Sequence, residues 1–145
     1  MARCGGSLED LDQSGRRDAL VRWRQIFAIN VQAHTGESCY GGMDFHVFSW
    51  RFSPSDRKTE AIRSYQAENP KVFFVLPEDE ELPAFCCSGG RLPDFSGFWI
   101  DVLIFPSDLS WTMVFTHDDE QPQGGPYFSR REWQQVTADP PPGLV

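Results

Sequence analysis

The sequence predicts an α+β fold, an antiparallel sheet of four to five strands with two helices packed on one face. Apolar residues recur every three or four positions between residues 19 and 31, which indicates an amphipathic helix. Two apolar runs, 98–105 and 111–117, are separated by a five-residue loop that contains proline and serine. This spacing favours an antiparallel hairpin.

Composition divides the chain into three parts. Residues 1–15 are polar and glycine-rich, which predicts a flexible N-terminus. Residues 16–136 are predicted to form a single α+β domain, and the proline-rich residues 137–145 a tail. A chain of 145 residues buries roughly 68–70% of its unfolded surface, so a core without disulfides or metals is feasible.

The first half of the domain is predicted to contain both helices. One begins near Asp18. Residues 44–52 follow as a strand with apolar side chains on both faces, which predicts a central position in the sheet. Ser53 or Ser55 caps a second helix, which ends before the proline at position 70.

The second half is predicted to be mostly strands. Residues 71–76 form a buried strand that Pro77 ends. The hairpin strands 98–105 and 111–117 come next, and residues 127–129 form a last short strand after a turn.

The net charge of −8 and the pI of about 4.7 limit the classes of partner. They argue against a nucleic-acid binder and against binding to an anionic membrane surface, but they permit a basic protein. No apolar run approaches the ~20 residues of a membrane span, and the N-terminus lacks a secretory signal. We therefore expect a cytoplasmic protein whose four cysteines are reduced thiols.

Six segments carry a family resemblance. They resemble those of a family of short bacterial proteins of unknown function, which end in a tryptophan-threonine strand, a threonine-histidine-glutamate step and a glycine-proline-tyrosine-phenylalanine turn. This chain has Asp118 where the family usually has glutamate. The resemblance implies a bacterial or phage cytosolic origin and one domain over the whole chain, but no activity. The segments are Trp23 to Phe27, Phe45 to Trp50, Phe73-Phe74, Asp101 to Pro106, Trp111 to His117 and Gly125 to Phe128.

His117 is followed directly by three acids, Asp118, Asp119 and Glu120. Histidine beside carboxylates is typical of metal sites and of general bases. Neighbours on a strand point to opposite faces, so these groups converge only if the strand ends at Thr116. The alternative is a strand-end histidine bonded to a carbonyl, followed by a solvated acidic turn. No catalytic residue, metal ligand or cofactor is assigned.

Two further motifs have simpler interpretations. His46 lies between apolar neighbours and is interpreted as a core histidine with one hydrogen bond. The vicinal pair Cys86 and Cys87 lacks the spacing of redox or zinc sites and is interpreted as structural.

These observations predict a non-enzymatic acidic module that binds another protein, since tryptophan and tyrosine dominate binding hot spots. Its most specific form is an immunity-type or inhibitor protein that blocks a basic toxin or nuclease. The alternatives are a small metal-dependent hydrolase that uses His117 and Asp118, and a structural or adaptor subunit of a bacterial or phage assembly. The predicted partner-binding residues are Trp111, His117, Asp118, Asp119, Glu120 and Tyr127.

Overall fold

The computed structural model describes residues 5–137. Within them lie seven strands, four α-helices and one 3₁₀ turn. The elements in chain order are β1 (Gly5–Asp10), α1 (Gln13–Phe27), α2 (Ile29–Thr35), α3 (His46–Ser49), β2 (Asp56–Arg57), α4 (Lys58–Gln66), β3 (Val72–Pro77), β4 (Phe85–Gly90), β5 (Val102–Pro106), β6 (Trp111–Phe115), β7 (Tyr127–Arg130) and the 3₁₀ turn (Arg131–Trp133).

All the strands form one antiparallel sheet in the order β1-β4-β3-β5-β6-β7-β2. The β5–β6 hairpin lies in the middle, with Ile104 opposite Met113. Both hairpin strands are buried along their whole length, as expected for strands covered on two faces. The edge strands β1 and β2 come from the N-terminal half, so both edges of the sheet depend on pairings between residues distant in sequence.

Helices cover both faces of the sheet. The helices α1, α2 and α3 pack on one face, and α4 packs on the other. Alternate residues of β5 therefore enter different cores: Leu103 and Phe105 face α1–α3, whereas Val102 and Ile104 face α4.

Helix α1 is fixed at its N-terminus and along its buried stripe. Asp12 caps it, because its carboxylate accepts a hydrogen bond of 2.7 Å from the Gly15 amide. Trp23 is buried in the stripe, and its indole Nε1 donates a 2.9 Å hydrogen bond to Thr112 Oγ1 in β6. This bond satisfies a polar group that burial would otherwise leave unpaired.

The predicted sheet of four to five strands with two helices on one face is wrong. The described chain has seven strands and four helices, and the helices lie on both faces. The strands that the sequence did not indicate are β1, which is polar and glycine-rich, and β2, which has two residues. Both pair with strands about 70 to 80 residues away in the chain, which local pattern analysis does not detect. Strand β4 lies in a segment whose sequence fits either a short strand or a turn.

The predicted central strand over residues 44–52 is also wrong. This segment contains the single helical turn α3, with Phe45, Val47 and Phe48 buried beneath α1. A short run that is apolar at every position does not distinguish a buried strand from a buried helical turn.

The structure describes most of the predicted flexible N-terminus but only the first residue of the predicted C-terminal tail. Residues 5–10, predicted to be flexible, form β1 on the outer side of β4. Of the predicted tail 137–145, residues 138–145 lie outside the described part. No helix between residues 5 and 137 combines the length and apolarity needed to cross a lipid bilayer.

Candidate functional site

Three strand ends bring titratable side chains together at one end of the sheet. Glu78 follows β3, Asp101 precedes β5, and His117 comes two residues after β6. Pairing of β3 with β5 and of β5 with β6 puts these positions in one row. With Asp44, which lies just before α3, they form what we call the carboxylate–histidine cluster.

Asp101 and His117 form a dyad. His117 Nδ1 lies 2.8 Å from Asp101 Oδ1 and 3.0 Å from Oδ2, and the His117 backbone amide donates to Oδ1 at 2.8 Å. The hydrogen bond to Asp101, followed by its negative charge, raises the pKa of His117, and burial opposes this only in part. The His117 side chain is 56% exposed, so the dyad reaches the surface.

Asp44 and Glu78 form the buried half of the cluster. Arg24 of α1 donates to both oxygens of Asp44, at 2.6 and 3.0 Å, which makes a bidentate pair. Glu78 Oε1 accepts a 3.1 Å hydrogen bond from the Phe45 amide. Burial, followed by repulsion from Asp44, raises the pKa of Glu78 to about 7.

The side chains of the carboxylate–histidine cluster can accept and donate protons. The dyad orients an imidazole, and Glu78 changes charge near neutral pH. No group of three or more histidine, cysteine, aspartate or glutamate side chains within residues 5–137 has the geometry to hold a metal ion.

The acidic turn after His117 is organised around Thr116. Thr116 Oγ1 lies 2.5 Å from Asp118 Oδ1 and 2.6 Å from Asp119 Oδ1, so the two carboxylates share its single proton as donor, and the Thr116 amide also donates to Asp119. Lys58 Nζ donates to the Asp119 carbonyl at 2.6 Å. His117 is thus bonded to Asp101 while Asp118 and Asp119 serve the turn; Glu120 is exposed.

Trp111 and Tyr127, the two aromatic residues of the predicted partner-binding set, are core residues that are 2% and 1% exposed. Trp111 stacks on Phe128, and Tyr127 stacks on Phe48. These rings have almost no surface to offer a partner. A binding role for the six residues as a set stays a prediction.

His46 and the two vicinal cysteines lie in ordinary structural environments. His46 Nδ1 lies 2.8 Å from Ser49 Oγ within α3, and burial lowers the pKa of its imidazole. Cys87 is buried in the core on the α4 side, and Cys86 is half-buried beside β1. Burial, followed by the nearby Glu9 charge, raises the pKa of Cys86, which disfavours a reactive thiolate.

The most exposed aromatic side chains lie on a segment that we call the aromatic loop, residues 91–101. Phe98 is 57% exposed and Trp99 is 68% exposed. Both lie in the predicted strand 98–105, but β5 begins only at Val102. The available signal was Asp101, the one charged residue in this apolar run, which directly precedes β5.

The aromatic loop is anchored at its base. The buried Tyr65 hydroxyl donates a 2.6 Å hydrogen bond to the Pro93 carbonyl. The Phe95 ring lies 5.9 Å from Phe98 on one side and 5.9 Å from the core ring of Phe115 on the other. The loop therefore holds Phe98 beside the core while leaving most of its ring in solvent.

Trp99 has a strained backbone. Its φ of 57° lies in the left-handed region, which bulky side chains rarely adopt. Such strain costs on the order of 1–3 kcal/mol and concentrates at functional sites.

An apolar groove of about 170 Å³ adjoins the aromatic loop. Residues of β1, of the segment before β4 and of the aromatic loop line this groove. Its main side chains are Leu8, Leu82, Pro83, Phe85, Phe95 and Ile100.

Acidic residues flank two of the segments that build the groove. The exposed segment 79–81 precedes Leu82, and the exposed Asp94 lies between Pro93 and Phe95. Arg16 fixes the segment 79–81 by donating to the carbonyls of Leu82 and Asp79, at 2.6 and 3.0 Å. We call residues 79–81 and Asp94 the acidic rim.

Comparison with protein-family models, with curated proteins and with solved structures finds no match for this chain. The resemblance to short bacterial proteins therefore stays a prediction.

Proposed function

We propose that this chain is a non-enzymatic protein-binding module that docks through the aromatic loop and the apolar groove. The exposure of Phe98 and Trp99, at 57% and 68%, carries the proposal. Two adjacent, mostly exposed aromatic rings are unfavourable in water, and burial against a partner removes that surface from solvent. Tryptophan is also the residue type most enriched among binding hot spots.

The anchored geometry of the loop supports this function. Phe95 and the hydrogen bond from Tyr65 hold the base in place before any partner arrives. A preorganised loop loses little conformational entropy on binding, so more of the contact energy appears as affinity. The left-handed backbone at Trp99 fits a residue placed for contact rather than for local stability.

The acidic rim defines the chemistry of the partner. A partner surface that matches the groove and its acidic rim has an apolar centre surrounded by lysine or arginine. Acidic residues at those positions of the partner would be repelled by the rim. The net charge of −8 draws such a surface in from a distance. A basic toxin or nuclease, for which this chain would be the inhibitor, is one protein of that kind.

Selection from a phage-displayed library of random twelve-residue peptides tests the proposal. The bait is the full chain. The library is first passed over the Trp99→Ala variant, which removes peptides that bind to other parts of the surface. We expect enriched peptides with several lysines or arginines around an aromatic or aliphatic centre. Enrichment of acidic peptides, or no enrichment over the Trp99→Ala bait, would refute the proposal.

A further inference from the structure

A second cleft, of about 950 Å³, lies at the opposite edge of the sheet from β1. We call it the edge cleft; β2, β7, α3 and the 3₁₀ turn contribute residues to it. Aromatic rings of Phe48, Phe52, Tyr127 and Trp133 line it. It shares no lining residue with the apolar groove, so it is a separate feature.

Two buried hydrogen-bond donors beside the edge cleft have no partner. They are Arg57 Nε and the Tyr127 hydroxyl. Arg57 of β2 and Tyr127 of β7 are directly opposite each other in the antiparallel register. Side chains of such a pair lie on the same face of the sheet with Cβ atoms about 5 Å apart, so the two unpaired donors lie on one face at the same end of the β2–β7 pair.

The fixed geometry of Arg57 makes its unpaired Nε–H informative. Its Nη2 donates to the Gly124 carbonyl at 3.0 Å and to the Pro122 carbonyl at 3.3 Å. These bonds hold the guanidinium plane while Nε is left over. Leaving a buried donor unpaired is unfavourable, and native proteins do so rarely, so each instance calls for an acceptor.

The charge of the edge cleft is opposite to that of the molecule. Arg51 and Arg57 line it, and none of its described lining residues is an aspartate or glutamate. Asp56, next to Arg57 in the chain, instead accepts a 2.9 Å hydrogen bond from Ser64 of α4. Asp118 and Asp119 act on the Tyr127 hydroxyl with their charges, and Arg57 opposes them. Among the lining residues themselves the charge is positive, which favours an anion in a protein of net charge −8.

We propose that the edge cleft binds a small organic anion, with its oxyanion at Arg57 Nε and the Tyr127 hydroxyl and its planar apolar part on Trp133, the one ring of the described lining that is not buried. Arginine Nε–H and tyrosine O–H both donate to carboxylate and phosphate oxygens. Arg51 adds a second positive charge. The Trp133 ring favours an aromatic or otherwise flat anion over inorganic phosphate.

Binding requires a small rearrangement of the cleft. Each unpaired donor atom exposes less than 1 Å² to solvent. Arg51 and Gln123 line the cleft, are exposed, and have long rotatable side chains. The proposal requires that lining side chains of this kind move aside when the anion binds, as side chains commonly do.

The test is a titration of the full chain with three probes, followed by amide chemical shifts in NMR spectra. The probes are benzoate, phenyl phosphate and the neutral analogue benzamide. We expect saturable shifts at cleft residues with at least one of the two anions, and at least about tenfold weaker binding of benzamide. Whichever anion binds more tightly identifies the oxyanion as carboxylate or phosphate.

The Tyr127→Phe variant removes one donor without removing a hydrogen bond present in the structure, so it should fold with an unchanged or higher Tm. We expect it to bind the anion about tenfold more weakly. Arg57→Lys, which retains charge but lacks Nε–H, should weaken binding similarly. Tyr40→Phe, outside the cleft, is the matched control and should bind as the wild type does.

Two results would overturn the inference. One is the absence of saturable shifts with both anions, which would mean that the donors bond to water alone. The other is equal anion affinity in the wild type, Tyr127→Phe and Arg57→Lys, which would place any binding elsewhere on the surface.

Discussion

At the scale of single residues, Glu78 links charge to stability. Its pKa rises from 4.5 to about 7 on folding, because the carboxyl is largely buried and Asp44 lies nearby. Between those values the folded state binds more protons than the unfolded state, so the free energy of unfolding falls as pH rises. The contribution of Glu78 is complete below pH 4.5 and is lost as the pH passes about 7.

Glu78→Gln removes this titration and keeps an oxygen that accepts from the Phe45 amide. We expect the variant to be more stable than the wild type at pH 8 by on the order of 2 kcal/mol, with the difference much smaller at pH 5. Urea unfolding at the two pH values measures it, with Glu120→Gln in the exposed turn as control. A difference that does not depend on pH would contradict the assignment.

The dyad gives a second prediction at this scale. Asp101 is the main cause of the raised His117 pKa, so Asp101→Asn should lower that pKa toward its ordinary value. In the wild type the dyad stabilises the fold fully below pH 6.5, and this stabilisation is lost as pH rises through the raised pKa. NMR titration of the imidazole follows the change; the exposed residue Asp108, changed to asparagine, is the control. Identical His117 titrations in all three proteins would remove the dyad from the account.

At the scale of elements, the sequence predicted what its local patterns encode. The strands of the β5–β6 hairpin and β3 lie within a few residues of their predicted positions, because strong apolar runs and prolines define them. Strand β1 has the sequence GGSLED and no apolar alternation; its place depends on pairing with β4, some 80 residues away in the chain. The apolar residues 44–52 fit a buried strand and a buried helical turn equally well, and the structure has the helical turn α3 there.

The turn before β7 depends on close backbone approach at Gly124. A Cβ there would lie 2.0 Å from the Asp118 carbonyl oxygen, and neither backbone segment can move freely. Gly124→Ala should therefore lower the free energy of unfolding by about 3 kcal/mol. Gly15→Ala is the contrasting control, since its nearest neighbour, at 3.2 Å, is the Asp12 side chain and alanine favours helices. Comparable thermal stability of the two variants would contradict the geometry of the turn.

At the scale of the whole molecule, composition predicted an acidic, ring-rich protein but not the location of its exposed rings. Trp111 and Tyr127 belong to the predicted partner-binding set, and both are in the core. The sequence does not distinguish them from Trp99, because burial of an aromatic ring is decided by the elements that cover it. Trp111 lies in the core on the α4 side and Tyr127 stacks on Phe48 of α3, whereas Trp99 lies on the exposed aromatic loop.

The acidic rim yields a prediction about association rates. Neutralising residues 79–81 should slow association with a selected basic peptide several-fold at low salt and leave little difference at high salt. A control variant with three substitutions elsewhere changes the net charge by the same amount, from −8 to −5. It shows whether the association rate depends on the position of the charges or only on the net charge. The rim variant is Asp79→Asn, Glu80→Gln and Glu81→Gln; the control variant is Glu37→Gln, Glu60→Gln and Glu132→Gln. Equal slowing in both would mean that the rim has no special place in docking.

The most direct measurement is the Kd of a selected peptide for Trp99→Ala against Trp50→Ala. Both tryptophans are exposed, at 68% and 41%, but only Trp99 belongs to the aromatic loop. We expect Trp99→Ala to raise Kd at least about tenfold and Trp50→Ala to leave it within about twofold. Equal affinities in the two variants, with both proteins folded, would contradict docking through the aromatic loop.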